Sequence, residues 1–186
     1  DVLDLGVWQH STGSTTLTDV TVVDVAKDRA QLRGYALLAD QGRLSVTRAS
    51  VARFATRGFE IASAAELTDL DVRDGLGRGI RVAGGALTAA RVRVTSVIEQ
   101  GVEVTLAGTA TITDLAIDGV TLDHPDRDAL GVHVDQAFLR ATRARVEDTE
   151  IGVAMNAGSA VLTDLVVDRA HRRRRKVDGA AVYSDR

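Results

Sequence analysis

The sequence has no cysteine, a single proline (Pro125) and very few aromatics, 3% of its 186 residues. Without thiols there are no disulfide staples, thiolate metal ligands or thiol nucleophiles, so the fold must be held by its core. With one proline, no proline-rich linker divides the chain. Scarce rings predict an aliphatic interior and few platforms for stacking sugars or bases. No apolar run approaches the roughly 20 residues needed to span a bilayer as a helix. The formal net charge of −3 offers no broad basic field, so neither nucleic acid nor membrane insertion is expected. The chain opens at Asp1 without a methionine or a basic and apolar leader, and is read as a segment of a longer, exported polypeptide.

What is present is a repeat. Glycines open short alternating apolar strands at Gly6, Gly34, Gly58, Gly79, Gly101, Gly131, Gly152 and Gly179. The period is about 25 residues, in the range of solenoids and propellers. A second segment follows each of the first seven glycine-led strands: LTDVTV from Leu17, VTRASV from Val46, LTDLDV from Leu67, LTAARV from Leu87, ITDLAI from Ile112, ATRARV from Ala141 and LTDLVV from Leu162. These segments are too short for amphipathic helices and rich in Val, Ile and Thr, so they are predicted as strands.

Strands recurring at one period without return hairpins stack in parallel, and like positions form ladders. The sixth position predicts a buried column of Val22, Val51, Val72, Val92, Ile117, Val146 and Val167. The third reads Asp19, Arg48, Asp69, Ala89, Asp114, Arg143 and Asp164, so opposite charges meet along most of it, and Asp71 is expected to face Arg91. The outward position of the glycine-led strand reads Glu60, Arg81, Glu103 and His133.

On the GVxV strand, the LTDLxV strand and their period, the chain resembles the right-handed parallel β-helix repeat proteins of pectate-lyase-like architecture, from Gly6 to the end. The resemblance implies an all-β, single-stranded right-handed parallel β-helix of about seven rungs, forming one domain over residues 1–186. It does not imply an activity, because this scaffold carries lyases, hydrolases, adhesins and inert stalks alike.

Three features carry chemistry. The run Arg172, Arg173, Arg174, Arg175 and Lys176, beginning after His171, suits an acidic polysaccharide or an acidic protein partner, since guanidinium groups bind carboxylates and phosphates in pairs. Asp123, His124, Asp126 and Asp128 gather oxygen and imidazole donors, but lack the spacing of a calcium loop and read more simply as a turn around Pro125. Glu60, Arg81, Glu103 and His133 place two carboxylates on next-but-one rungs, near the roughly 5 to 9.5 Å that glycoside hydrolysis needs. Arg81 between them is expected to lower a catalytic acid's pKa, and Trp8 is expected to lie far off along the axis.

Insertions fall at one place in the repeat, between the Thr-containing strand and the next glycine, as they do on a binding edge. The expectation is therefore a non-catalytic structural or binding segment of a secreted or surface-exposed bacterial protein. No cofactor is implied, and the open ends of the coil suggest end-to-end self-association. The runner-up is a polysaccharide-degrading enzyme using the Glu60 to His133 row.

Overall fold

A computed structural model describes residues 2–3, 5–27, 34–122, 128–170 and 180–185. It is all-β, with two parallel eight-stranded sheets. The long-strand sheet contains β1 (Val2–Leu3), β3 (Ser14–Ala26), β5 (Arg43–Phe54), β7 (Ala64–Gly75), β9 (Ala86–Ile98), β11 (Thr109–Thr121), β13 (Phe138–Thr149) and β15 (Ser159–Ala170). The short-strand sheet contains β2 (Leu5–Gln9), β4 (Tyr35–Ala39), β6 (Arg57–Ile61), β8 (Arg78–Ala83), β10 (Gln100–Thr105), β12 (Leu130–Asp135), β14 (Ile151–Asn156) and β16 (Ala180–Asp185). The chain alternates between the sheets, and each strand pairs with the strand two places on. This parallel repeat arrangement is compatible with a β-solenoid.

The long strands are bent by their own sequence. In β7, Leu67 is buried, Thr68 and Asp69 face outward together, and Leu70 is buried again. A strand alternates strictly, so two successive outward residues mark a corner. The second of the two takes a left-handed backbone, at φ 58° for Asp69. The same corner recurs at Asp19, Arg48, Arg91, Asp114, Arg143 and Asp164. A second corner lies five residues later, at Asp24, Arg53, Asp74, Ser96, Asp148 and Arg169, with Gly119 in the sixth long strand (φ 69°). Each non-glycine residue there costs about 1–2 kcal/mol, offset by burial on both sides of the bend.

These corners correct one predicted register. Leu67 pairs with Ala89, Leu70 with Val92 and Val72 with Val94. The segment equivalent to LTDLDV is therefore AARVRV from Ala89, two residues later than LTAARV. Arg91, not Ala89, stands in the third position, and Val94, not Val92, joins the sixth-position column. Asp71 pairs with Arg93 rather than Arg91, and Ala90 replaces the expected Thr. With Arg91 in place, the corner column alternates without a break: Asp19, Arg48, Asp69, Arg91, Asp114, Arg143, Asp164.

The glycines of the short strands are there for space. A Cβ on Gly79 would lie 2.5 Å from Val94 Cγ1 and 2.6 Å from the Gly101 carbonyl oxygen. Gly58 and Gly131 face Val72 and Val146 in the same way, so each glycine seats the sixth-position residue of its own rung. In the second rung this place belongs to Ala36, not Gly34, because Val7 pairs with Leu37. Gly179 lies outside the described residues. The core runs continuously from Val22 to Val153. It is aliphatic apart from Phe54 and Phe59, both without solvent exposure; a Cβ on Gly75 would fall 2.0 Å from Phe54 Cζ.

The longest intervals between the described strands are β3 to β4, β11 to β12, and β15 to β16. All three leave the same corner, as the sequence predicts.

Candidate functional site

The predicted row is in register. Glu60 pairs with Arg81, Arg81 with Glu103, and Glu103 with His133. The column extends through Leu38 to Trp8 on one side and to Ala154 on the other. Trp8 thus belongs to this face, two rungs from Glu60, which corrects the expectation that it stands apart. It is 47% exposed. Its Nε1 donates to Asp40 Oδ2 at 3.1 Å, and the His10 ring packs against it at 4.5 Å between centroids.

The glycine bend adds a second outward column that the sequence reading missed. In β6 the missing Cβ of Gly58 points at core Val72 and Phe59 is also inward, so Arg57 and Glu60 flank two inward positions and share the outer face. The same geometry presents Arg78 with Arg81, and Gln100 with Glu103. The residue before each glycine was the available signal.

The two columns form one network. Arg81 bridges both carboxylates, its Nη1 donating to Glu60 Oε1 at 2.9 Å and its Nε lying 2.8 Å from Glu103 Oε2. Arg57 Nη1 is 3.1 Å from Glu60 Oε2 and donates to the Tyr35 hydroxyl at 2.8 Å. Its guanidinium lies 4.8 Å from the Tyr35 ring centroid, within cation–π range. Arg78 sits 3.4 Å from Glu103 Oε2 and 3.3 Å from Glu99 Oε2. Three guanidinium groups therefore answer three carboxylates.

Both row carboxylates are buried although they point away from the core: Glu60 is 6% and Glu103 7% exposed. Burial raises the Glu60 pKa above its ordinary value, outweighing the nearby Arg57 and Arg81. That reverses the expectation that Arg81 would hold it low. His133 Nδ1 lies 3.0 Å from Gln100 Nε2 and 4.0 Å from Glu103 Oε1. Beyond His133 the face turns apolar, in a small cluster of Leu130, Ile151 and Ala154.

The remaining candidates are not brought into this face. Residues 171–176, with the basic run, and Asp123, His124 and Asp126 lie outside the described residues; Asp128 is exposed. Among the described residues no group of three or more histidines and carboxylates is placed to hold a metal ion. Compared with family models and with curated proteins, the chain matches none.

Proposed function

We propose that this chain is a non-catalytic rod: a right-handed parallel β-helix segment of a secreted or surface-exposed bacterial protein, built to hold loops in fixed positions. The observation that carries this reading is the state of the row. Glu60 and Glu103 share Arg81, and each has a further arginine. A general acid or nucleophile needs a carboxyl oxygen turned to substrate; here the groups turn to one another. Partner binding falls to the corner from which the long connections leave, with the Arg172 to Lys176 run supplying affinity for an acidic glycan or protein.

The test is a binding and turnover panel of acidic polysaccharides. Replacing Arg172 to Arg175 with Ser is expected to abolish salt-sensitive binding and leave the melting temperature within a few degrees of the parent. Failure of the intact chain to bind any acidic glycan removes that ligand class from the proposal.

A second reading has one specific observation in its favour. The raised pKa of Glu60 suits a general acid, and the exposed indole of Trp8 on the same face suits a sugar ring. Glycan cleavage that disappears in Glu60→Gln would establish it over the rod.

A further inference from the structure

Two edges of the coil are charged and the third is not. The first two are the corners within the long strands, where aspartate or arginine stands on most rungs. The third is the turn from each short strand into the next long strand. From the third rung (β6 and β7) to the seventh (β14 and β15), this turn and the positions beside it are residues 62–64, 83–86, 105–109, 135–138 and 156–159. In a chain that is 26% charged, they hold one charged residue, Asp135, which accepts from Asn156 Nδ2 at 3.1 Å.

On the fifth rung this edge carries an extra residue. Ala83 pairs with Thr105 and Thr105 with Asp135, while Ala86 pairs with Thr109 and Thr109 with Phe138. Two residues therefore fill the turn on the fourth and sixth rungs, and three on the fifth: Leu106, Ala107 and Gly108. Gly108 N donates to the Thr105 carbonyl at 2.9 Å, with Leu106 at φ 55° and Ala107 at φ 59°. Positive φ at both central positions is the type I′ pattern, which favours Asn and Gly and strains a bulky residue such as leucine. The Leu106 side chain is 62% exposed. It stands between the Gly84–Gly85 turn and the Gln136–Ala137 turn, so its exposure owes nothing to either end of the coil. Beside it an open groove of about 500 Å3 begins at Ala107 and Gly108 and continues past Gln136, Ala137 and Phe138.

We propose that this neutral edge pairs side by side with the same edge of a second copy of the chain, each Leu106 entering the groove of the other. An exposed apolar knob and a groove lying next to each other on one surface are what a two-fold, self-complementary contact requires. Charge points to the same occupant. An edge with a single charge meets itself without a run of like charges, whereas either charged corner would have to be matched residue by residue. Depletion of charge is also the compositional mark of an interface core. Five rungs about 4.8 Å apart and one turn across give a face on the order of 20 Å by 10 Å, well under the roughly 800 Å2 per partner of a stable complex. The dimer is therefore a weak, concentration-dependent one. The inference does not depend on what the loops bind.

Sedimentation of the full chain over a wide concentration range is expected to show a dimer growing in at high concentration. Leu106→Asn removes the knob and suits a left-handed backbone, so association should weaken by about ten-fold or more. At a dilution where the parent is monomeric, the melting temperature of that variant should hold or rise by a few degrees. Because the chain has no cysteine, cross-linking reads the geometry. Leu106→Cys chains mixed with Gln136→Cys chains should form disulfide-linked pairs of one of each in preference to pairs of either alone. A monomer at every concentration would overturn the inference and leave the edge to a different partner. So would a dimer unaffected by Leu106→Asn, or Leu106→Cys chains that link chiefly to themselves. A Leu106→Asn chain that melts lower than the parent at that dilution would also overturn it, because Leu106 would then serve the fold rather than a contact.

Discussion

Two carboxylate–guanidinium ladders run along this molecule, one on the exposed corner of the long-strand sheet and one on the outer face of the short-strand sheet. They use the same groups with opposite consequences. At the exposed first corner Asp19, Asp69 and Asp114 are each held below the ordinary carboxylate value by hydrogen bonds from Arg48, Arg91 and Arg143, as Asp24 at the second corner is by Arg53. On the short-strand face burial lifts Glu60 above its ordinary value despite two arginines. Pairing decides the sign where water is at hand; desolvation decides it where water is not.

The linkage to stability follows. Carboxylates with lowered folded pKa stabilise the fold above their unfolded value near 3.8, and that contribution is lost as pH falls through the folded value. Glu60 does the reverse. Its contribution is present below the unfolded value near 4.5 and is lost as pH rises through the raised folded value.

The largest expected effect comes from removing the shared cation. Arg81→Leu leaves Glu60 and Glu103 with one arginine each in a buried setting, and should cost about 3–5 kcal/mol in urea unfolding at pH 7. Part of the loss should return as pH falls through the raised Glu60 value, because a buried carboxylate short of a counter-charge protonates more readily. A cost below about 1 kcal/mol would place this pair with ordinary exposed bridges.

Next is the bend that puts Arg57 beside Glu60. Gly58→Ala sets a Cβ 2.6 Å from the Gly79 carbonyl oxygen and 2.7 Å from Val72 Cγ1, and should cost about 1–3 kcal/mol as overpacking. Gly13→Ala, whose Cβ would meet nothing nearer than Ser11 Oγ at 3.8 Å, is the matched control and should be nearly silent.

Glu60→Gln sharpens the comparison through pH. The parent should gain stability from Glu60 as pH falls from 7 through its raised folded value to 4.5, and the variant should lack that increment; denaturant midpoints at pH 7 and pH 4.5 measure it. An increment unchanged in the variant would assign it to another group.

The smallest effect is expected at the exposed corner. Arg143→Asp places three carboxylates in one column, Asp114 and Asp164 on either side. Thermal melts should shift down by no more than a few degrees, less at high salt, since aspartate tolerates the left-handed corner better than arginine does.

Much of this was legible from sequence. The parallel stacking, the insertion corner and the register from Glu60 to His133 follow from the repeat, because β-strand faces are fixed by a period of two. That same period explains the error at Leu87. A slip of two residues keeps every side chain on its proper face, so LTAARV and AARVRV look equally good; the left-handed corner at Arg91 distinguishes them and leaves no mark in hydropathy. Gly34 misled in a similar way, since Ala36 is small enough to stand in the glycine column. Charge order was readable at Glu60 and Arg81, but the burial of Glu60 was not, because it depends on Arg57 and Tyr35 arriving from a column that only the glycine bend creates.

The most direct test follows the two ladders in one experiment: side-chain carboxyl titration by nuclear magnetic resonance of Glu60 and Asp114 in the same folded sample. Burial of one ladder and exposure of the other predict a Glu60 midpoint above that of an ordinary glutamate and an Asp114 midpoint below that of an ordinary aspartate. A Glu60 midpoint at or below the ordinary value would contradict it, because the short-strand row would then behave as a second exposed ladder.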